Sequence, residues 1–494
     1  MRIRVVALLV AAAGCGDSGG GNGNGNGATG ASVVQHHKDA ARDGVYVDAA
    51  FTKAAAPGIH ADPAFSATIS GPTYAQPLFV EAGIAGKDVL VVATERNIVY
   101  ALDAATGAVI WQTQPLGAPV RLADLPCGNI DPLGITGTPY IDVAAGTIYL
   151  GAMTTPDGGA TKKHEIYAIA LADGSVKPGW PVDVEAAVPG FMSDVQNQRG
   201  AVLVEGGVLY VPYGGHYGDC GNYHGWLVGV NVSDPTKVMA WSTAAQGGGA
   251  WSAGGVSSDG TSMYVTTGNT FGASTWGGGD AVIRLAKGPA FSGAAADYFA
   301  PANWMSLDST DTDMGTHALV SAPGLAPSSL VAAFGKDGNI YLMDHANLGG
   351  IGHELATFHA GTGEITGAVT TYTTGAGTFI AFRIDGGTGT SCPGGTGGNM
   401  AAVKLAAGTP PTVAEVWCAR ESDQSLPITS MTDPSGSDAI VWNMGAQLYG
   451  YDAETGAELF HGGTLANVRY FQTPIIAKGR LYVAGDARVY AFTL

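Results

Sequence analysis

Charge, cysteine and membrane-length apolar runs are all scarce in this chain. Only 13% of its 494 residues are charged, and 23 Lys and Arg face 41 Asp and Glu, leaving a net charge of -18. A surface of that sign repels phosphate backbones, which argues against a nucleic-acid partner. Five cysteines occur, none in a CxxC or CxxCH spacing, so neither a zinc knuckle nor a covalently attached haem is encoded. The N-terminal apolar run from Val5 to Ala13 is too short to span a bilayer. Long helical periodicity is absent.

Glycine, by contrast, is abundant at 76 residues, and it punctuates a repeat. The unit is clearest as ATERNIVYALDAATGAVIWQT around Tyr100: a short β-rich run, a turn, a second run ending in Tyr-Ala-Leu-Asp, an Ala-Thr-Gly turn and a last strand carrying Trp. Such a unit is a four-stranded antiparallel blade. Equivalents of Tyr100 fall at Tyr167, Val228, Val282, Tyr341, Ala402, Tyr449 and Tyr490, which predicts an all-β, eight-bladed β-propeller over residues 41–494. The last unit stops after three strands. The segment before the first, PAFSATISGPTYAQPLFV, offers a strand in which Phe65 matches Trp111, so an N-terminal strand is expected to close the ring and remove two sheet edges.

At the N-terminus, Arg2 and Arg4, the short apolar run and then Ala-Gly-Cys resemble a bacterial lipoprotein signal. The resemblance implies a signal peptide over residues 1–14, a lipid on Cys15, and a Gly/Asn-rich tether over residues 15–40. The alternative is an ordinary secretory signal with an incidental cysteine. Gly16, with Asp17 one place later, favours the outer membrane. The expected location is therefore the cell envelope, at the outer membrane or periplasmic face. The expected state is a monomer that meets the membrane only through its lipid. Export makes the even number of remaining cysteines suggest two disulfides. Of three connectivities, Cys127–Cys220 across the loops of blades two and three, with Cys392–Cys418 inside blade six, is the one expected.

In a propeller, the starts of the innermost strands and the turns between second and third strands converge on one mouth. The strand starts supply Gln76, Thr136, Thr138, Gln198, Arg199, Trp251, Asp313, Ser430 and Gln472. The turns supply Glu95, Arg96, His216, His224, Asn269, Lys336, Asp337 and Asn443. Donors, acceptors and one indole suit a small polar ligand. The competing reading is that these groups cap strands or pair with one another.

The Tyr-Ala-Leu-Asp, Thr-Gly, Trp pattern is similar to the pyrroloquinoline quinone (PQQ) repeat of quinoprotein dehydrogenases, shared with non-catalytic assembly propellers, over about residues 60–494. Blade four, GGAWSAGGVSSDGTSMYVTTGN, resembles the dehydrogenase run whose Trp floors the quinone and whose Asn binds calcium, here Trp251 and Asn269. LDSTDTDMGTH stands where those enzymes carry their catalytic Asp, which makes Asp313 or Asp311 the base by resemblance. Lys336 in GKDGNIYLMD matches a lysine that contacts the quinone. Arg199 and Thr138 complete the expected cofactor-binding set. Asn269, His216 and Asp313 are the expected ligands of calcium or a transition metal. In such a site a cation and a Lys polarise the quinone carbonyl while the carboxylate takes the alcohol proton. Equally, Asp308, Asp311 and Asp313 would serve as turn caps or hold a structural calcium.

Two departures weigh against turnover. Cys127 is followed by Gly128, so the paired adjacent cysteines of many of those enzymes are missing. His216 stands where they place a calcium-binding Glu, and imidazole suits zinc, copper or iron better; His216, Asp219 and His224 would then form a transition-metal site or merely hydrogen-bond. No haem domain is present to take electrons onward. The leading expectation is a binding module for a small polar ligand or an envelope protein. The second is a PQQ- and metal-dependent dehydrogenase acting on an alcohol or sugar.

Overall fold

The computed structural model describes residues 31–388, 392–393, 397–421 and 425–494. The expected signal peptide, Cys15 and most of the tether lie outside these residues. Eight antiparallel sheets form the ring. Blade one runs through Leu78–Ile84, Lys87–Ala93, Val99–Asp103 and Val109–Gln112 from the axis outward. All eight repeat anchors sit in third strands, from Tyr100 in Val99–Asp103 and Tyr167 in Lys163–Ala170 through Tyr449 in Leu448–Asp452 to Tyr490 in Arg488–Thr493. The fold class is as the repeat predicts.

The repeat residues have local causes. The Asp ending the third strand folds back on its own turn: Asp103 Oδ1 accepts the amides of Ala105 and Thr106 at 3.0 and 3.2 Å, and Asp452 Oδ1 accepts those of Glu454 and Thr455. Gly107 and Gly456 close these turns at φ of 77° and 70°, which favour glycine. The Trp of one blade then latches onto the next. Trp111 Nε1 donates to Leu171 O at 3.0 Å, and Trp417 Nε1 to Ala453 O at 2.9 Å. Both indoles lie against turn glycines: a Cβ on Gly174 would meet Trp111 at 2.8 Å, and one on Gly456 would meet Trp417 at 2.6 Å. Thr-Gly and Trp are therefore two halves of one inter-blade contact.

Closure follows the same scheme. His60–Ala61 and Ala67–Thr68 both pair antiparallel with Arg488–Thr493, supplying the missing outer strand of blade eight. Phe65 meets Tyr482 edge-on, with ring centroids 5.8 Å apart. Both expected disulfides form, Cys127–Cys220 across 93 residues and Cys392–Cys418 across 26.

One boundary differs from expectation. Residues 31–40 are not tether but part of a strap that enters the central channel, turns beneath the funnel and leaves again by residue 48. Val33 pairs with Phe79 of blade one, and the Val34 carbonyl accepts from Ile141 of blade two. The Ala40 carbonyl accepts from Ser258 of blade four, and Asp43 and Gly44 accept from Thr371 and Thr429 of blades six and seven. Val45–Val47 then lies parallel to Ile428–Met431 on its channel side. Arg42 is the hub: its guanidinium donates to the carbonyls of Val256, Val202, His36 and Asp39 and to Gln35 Oε1. An inner strand of a ring has one unpaired edge facing the axis, and the strap satisfies part of it. The repeat pattern carries no trace of this, because the strap belongs to no blade. Ser430, expected at the funnel, instead lies inside the first strand of blade seven beside the strap, where its Oγ accepts from Trp442 Nε1 at 2.8 Å.

Candidate funnel site

Above the strap the mouth of the ring opens into a cavity of about 500 Å³, with a chamber of about 90 Å³ beneath it. Trp251 and Arg199 line both. Thr138 and His36 line the chamber, while His216, Asn269, Asp311, Asp313 and Lys336 line the mouth. Every residue expected to bind cofactor or metal or to act as the base therefore reaches one site, drawn from four blades.

At its centre is an ion pair. Lys336 Nζ contacts Asp313 Oδ2, and Asp313 Oδ1 accepts the Asn269 amide at 2.6 Å. Lys336 also reaches Asp311 Oδ1 at 3.3 Å and the Asp311 carbonyl at 3.1 Å. Its ammonium stands 5.8 Å from the Trp251 ring centroid. Burial raises the pKa of Asp313 despite the Lys336 charge. On Lys336 burial works downward, but Asp313 and Asp311 outweigh it and hold the ammonium above its ordinary value. The floor has no room to spare: a Cβ on Gly268 would overlap Asp313 Oδ1 and come within 2.9 Å of Trp251 Nε1.

Other wall groups are fixed by neighbours. His216 Nε2 meets the Asp194 carbonyl at 3.1 Å, and burial lowers its pKa to about 3, so it is neutral. Asp219 Oδ1 accepts from Tyr223 at 2.7 Å. Thr138 Oγ1 accepts the Gln76 amide at 2.9 Å. Asp308 does not face the mouth; it accepts from Thr270 Oγ1 at 2.6 Å and Gly272 N at 3.1 Å, bracing the Asn269 turn. His224 likewise meets the Thr243 carbonyl and Gln196 rather than the cavity. Glu95 is buried on the Gly134 amide at 2.6 Å, and burial raises its pKa to about 8. Two donors remain free: Arg199 has no hydrogen bond or ion pair among the described residues, and the buried Trp251 Nε1 has no acceptor.

Sequence reasoning missed Tyr217, Tyr470, Phe471, Glu364, Asp385 and His36 as lining. Tyr470 donates to Asp385 Oδ2 at 2.8 Å, and Arg383 pairs with the same carboxylate at 2.5 Å. Phe471 sits at φ 70°, a sparse region for a bulky residue. Its place just before Gln472 was the available signal. His36 had none.

The metal readings meet a specific obstacle. Asp313 has one oxygen on an amide and the other on Lys336, and His216 has spent Nε2. Among the described residues the only group of three His, Cys, Asp or Glu ligand atoms within 4.8 Å is Cys392, Glu415 and Cys418, and its sulfurs form the disulfide. The funnel has the room and the indole floor for a flat cofactor, but in it Asp313 is committed to Lys336 and the Asn269 amide.

Ring and repeat together define an eight-bladed β-propeller. The family model described as outer membrane protein assembly factor BamB matches residues 73–234. The quinohemoprotein alcohol dehydrogenase from Comamonas testosteroni is similar at 15% identity and TM-score 0.65, over 94% of this chain and 80% of that one. A europium-containing methanol dehydrogenase is similar at 13% identity and TM-score 0.64, over 94% and 98%. BamB from Moraxella catarrhalis is similar at 13% and 0.51, over 88% and 100%. No curated protein matches in sequence. At these identities the likeness establishes the fold, which redox enzymes and an assembly factor share.

Proposed function

We propose that this protein is a lipid-anchored, exported propeller of the cell envelope whose funnel binds a small polar ligand or an envelope protein without redox turnover. The observation that carries this reading is the Asp313–Lys336 pair. In a dehydrogenase the carboxylate must be free to take a proton and the ammonium free to polarise a carbonyl; here each occupies the other. Arg199, by contrast, lines both the chamber and the mouth and has no hydrogen bond or ion pair among the described residues. Supporting the envelope location are the lipoprotein-like N-terminus and the match to an outer-membrane assembly factor. No described helix is long and apolar enough to cross a membrane.

The second reading, a PQQ- and metal-dependent dehydrogenase, is favoured by Trp251, Asn269, Asp313 and Lys336 sharing one funnel in the order the resemblance requires. Titration of the body lacking residues 1–30 with PQQ in calcium, zinc or copper, followed by dye reduction with an alcohol panel, separates the two. The binding-module reading expects no turnover under any metal. Saturable quinone binding lost in Trp251→Ala, with turnover lost in Asp313→Asn, would replace it with the enzyme.

A further inference from the structure

Both ends of the strap leave the ring on the face opposite the funnel. Inner strands run from the mouth downward, so Gln76 is at the top of blade one and Ile84 at the bottom. The strap pairs antiparallel here, Val33 with Phe79, and Glu81 then holds the incoming chain by accepting Ala31 N at 3.3 Å and donating its own amide to Ser32 Oγ at 3.0 Å. Glu81 is in turn clamped by Lys478, which also bridges to Asp88, both beside bottom turns. At the other end Asp48 Oδ2 accepts from Gly479 in the same turn at 2.7 Å. The strap is thus a hairpin-like plug pushed in from below, with His36 and His37 stacked at its apex under the chamber, 4.4 Å apart.

We infer that the protein stands on the membrane with its bottom face inward and its funnel toward the aqueous compartment, open to soluble ligands and partners. This rests on the reading that Cys15 carries a lipid. Roughly 16 residues separate Cys15 from Ala31, a covalent reach of at most about 55 Å. To turn the funnel to the bilayer, that stretch would have to cross a four-strand blade and climb its full height. At 4.8 Å between strands and 3.3 Å per residue along them, the path is about 45 Å before any top loop is cleared. Nearly the whole reach would be drawn taut, at high entropic cost, whereas the opposite orientation leaves it slack. The ligand site is then not a lipid-headgroup site, and the turns on the bottom face are what a membrane meets.

The full chain, made in a bacterium with its own leader and reconstituted into phosphatidylcholine vesicles carrying nitroxide lipid, tests this. A fluorophore goes on Val143→Cys, in a bottom turn, or on Phe271→Cys, in a top turn; both positions are exposed, at 43% and 44%. Val176→Cys and Tyr217→Cys are the second bottom and top pair, exposed at 41% and 63%. Intact mass reads acylation of Cys15 separately. Acylated protein with bottom labels quenched several-fold more than top labels is the expected result. Acylated protein with equal or reversed quenching overturns the orientation alone; absence of the acyl mass overturns the anchor, and the orientation with it.

Discussion

Asp313 and Lys336 neutralise each other at the floor of the funnel, while the Asn269 amide holds the remaining carboxylate oxygen. Removing Lys336 leaves a desolvated carboxylate with one donor. Lys336→Ala is expected to cost about 2–3 kcal/mol in urea unfolding, below the full value for a buried pair because the lysine retains some solvent contact. Adding Asp313→Asn to that variant should restore part of the loss, which a double-mutant cycle measures.

Gly268 tests the tightness of the same floor. Gly268→Ala should abolish any ligand signal that depends on Trp251 and lower stability by about 1–3 kcal/mol, because its methyl overlaps the Asp313 carboxylate. Intrinsic Trp fluorescence under titration and a melting curve read the two effects separately.

The inter-blade latch gives a purely structural prediction. Gly174 has φ 73° and lies against Trp111, so Gly174→Ala combines backbone strain with overlap and is expected to cost about 2–4 kcal/mol in denaturant unfolding. Trp111→Phe, which loses the bond to Leu171 but keeps most of the packing, should cost less.

Arg42 should hold the strap. Arg42→Ala removes five donated hydrogen bonds to groups it alone satisfies, at an expected cost of about 3–5 kcal/mol. Limited proteolysis should then cut between residues 31 and 48 before any blade. Cleavage that begins in the blades would show that the strap is not the element Arg42 secures.

Acid stability carries the sign of the buried histidines. Burial lowers His37 and His164 from 6.5 to about 4. In that window the unfolded chain binds the protons that the folded one refuses. Stability from these groups is therefore complete above about pH 6.5 and is lost as pH falls toward 4. Glu95 acts oppositely: raised by burial from 4.5 to about 8, it binds its proton in the fold, so its contribution is lost as pH rises from 4.5 toward 8. Melting temperature against pH should flatten between about 4 and 6.5 in His164→Gln and between 4.5 and about 8 in Glu95→Gln.

The blades and their number were legible in the sequence because their causes are local. The Asx turn at Asp103, the glycine at Gly107 and the latch of Trp111 repeat at short spacing and print a pattern that survives changes in loop length. Trp251, Asn269, Asp313 and Lys336 were legible as one site because the ring brings equivalent blade positions to one mouth. What those groups do to one another was not. That Asp313 spends its charge on Lys336, that His216 turns to the Asp194 carbonyl, and that Tyr470 and Phe471 fill the mouth depend on side-chain contacts between blades.

The N-terminal segment marks the boundary most sharply. By itself the sequence determined an eight-bladed ring, its closure by a strand near Phe65, and the residues delivered to its funnel. Only the tertiary structure decided that residues 31–48 plug the channel, because Arg42 holds the carbonyls of Val202 and Val256, 160 and 214 residues away, and Val45–Val47 pairs with Ile428–Met431, on inner-strand edges that exist only once the ring has closed.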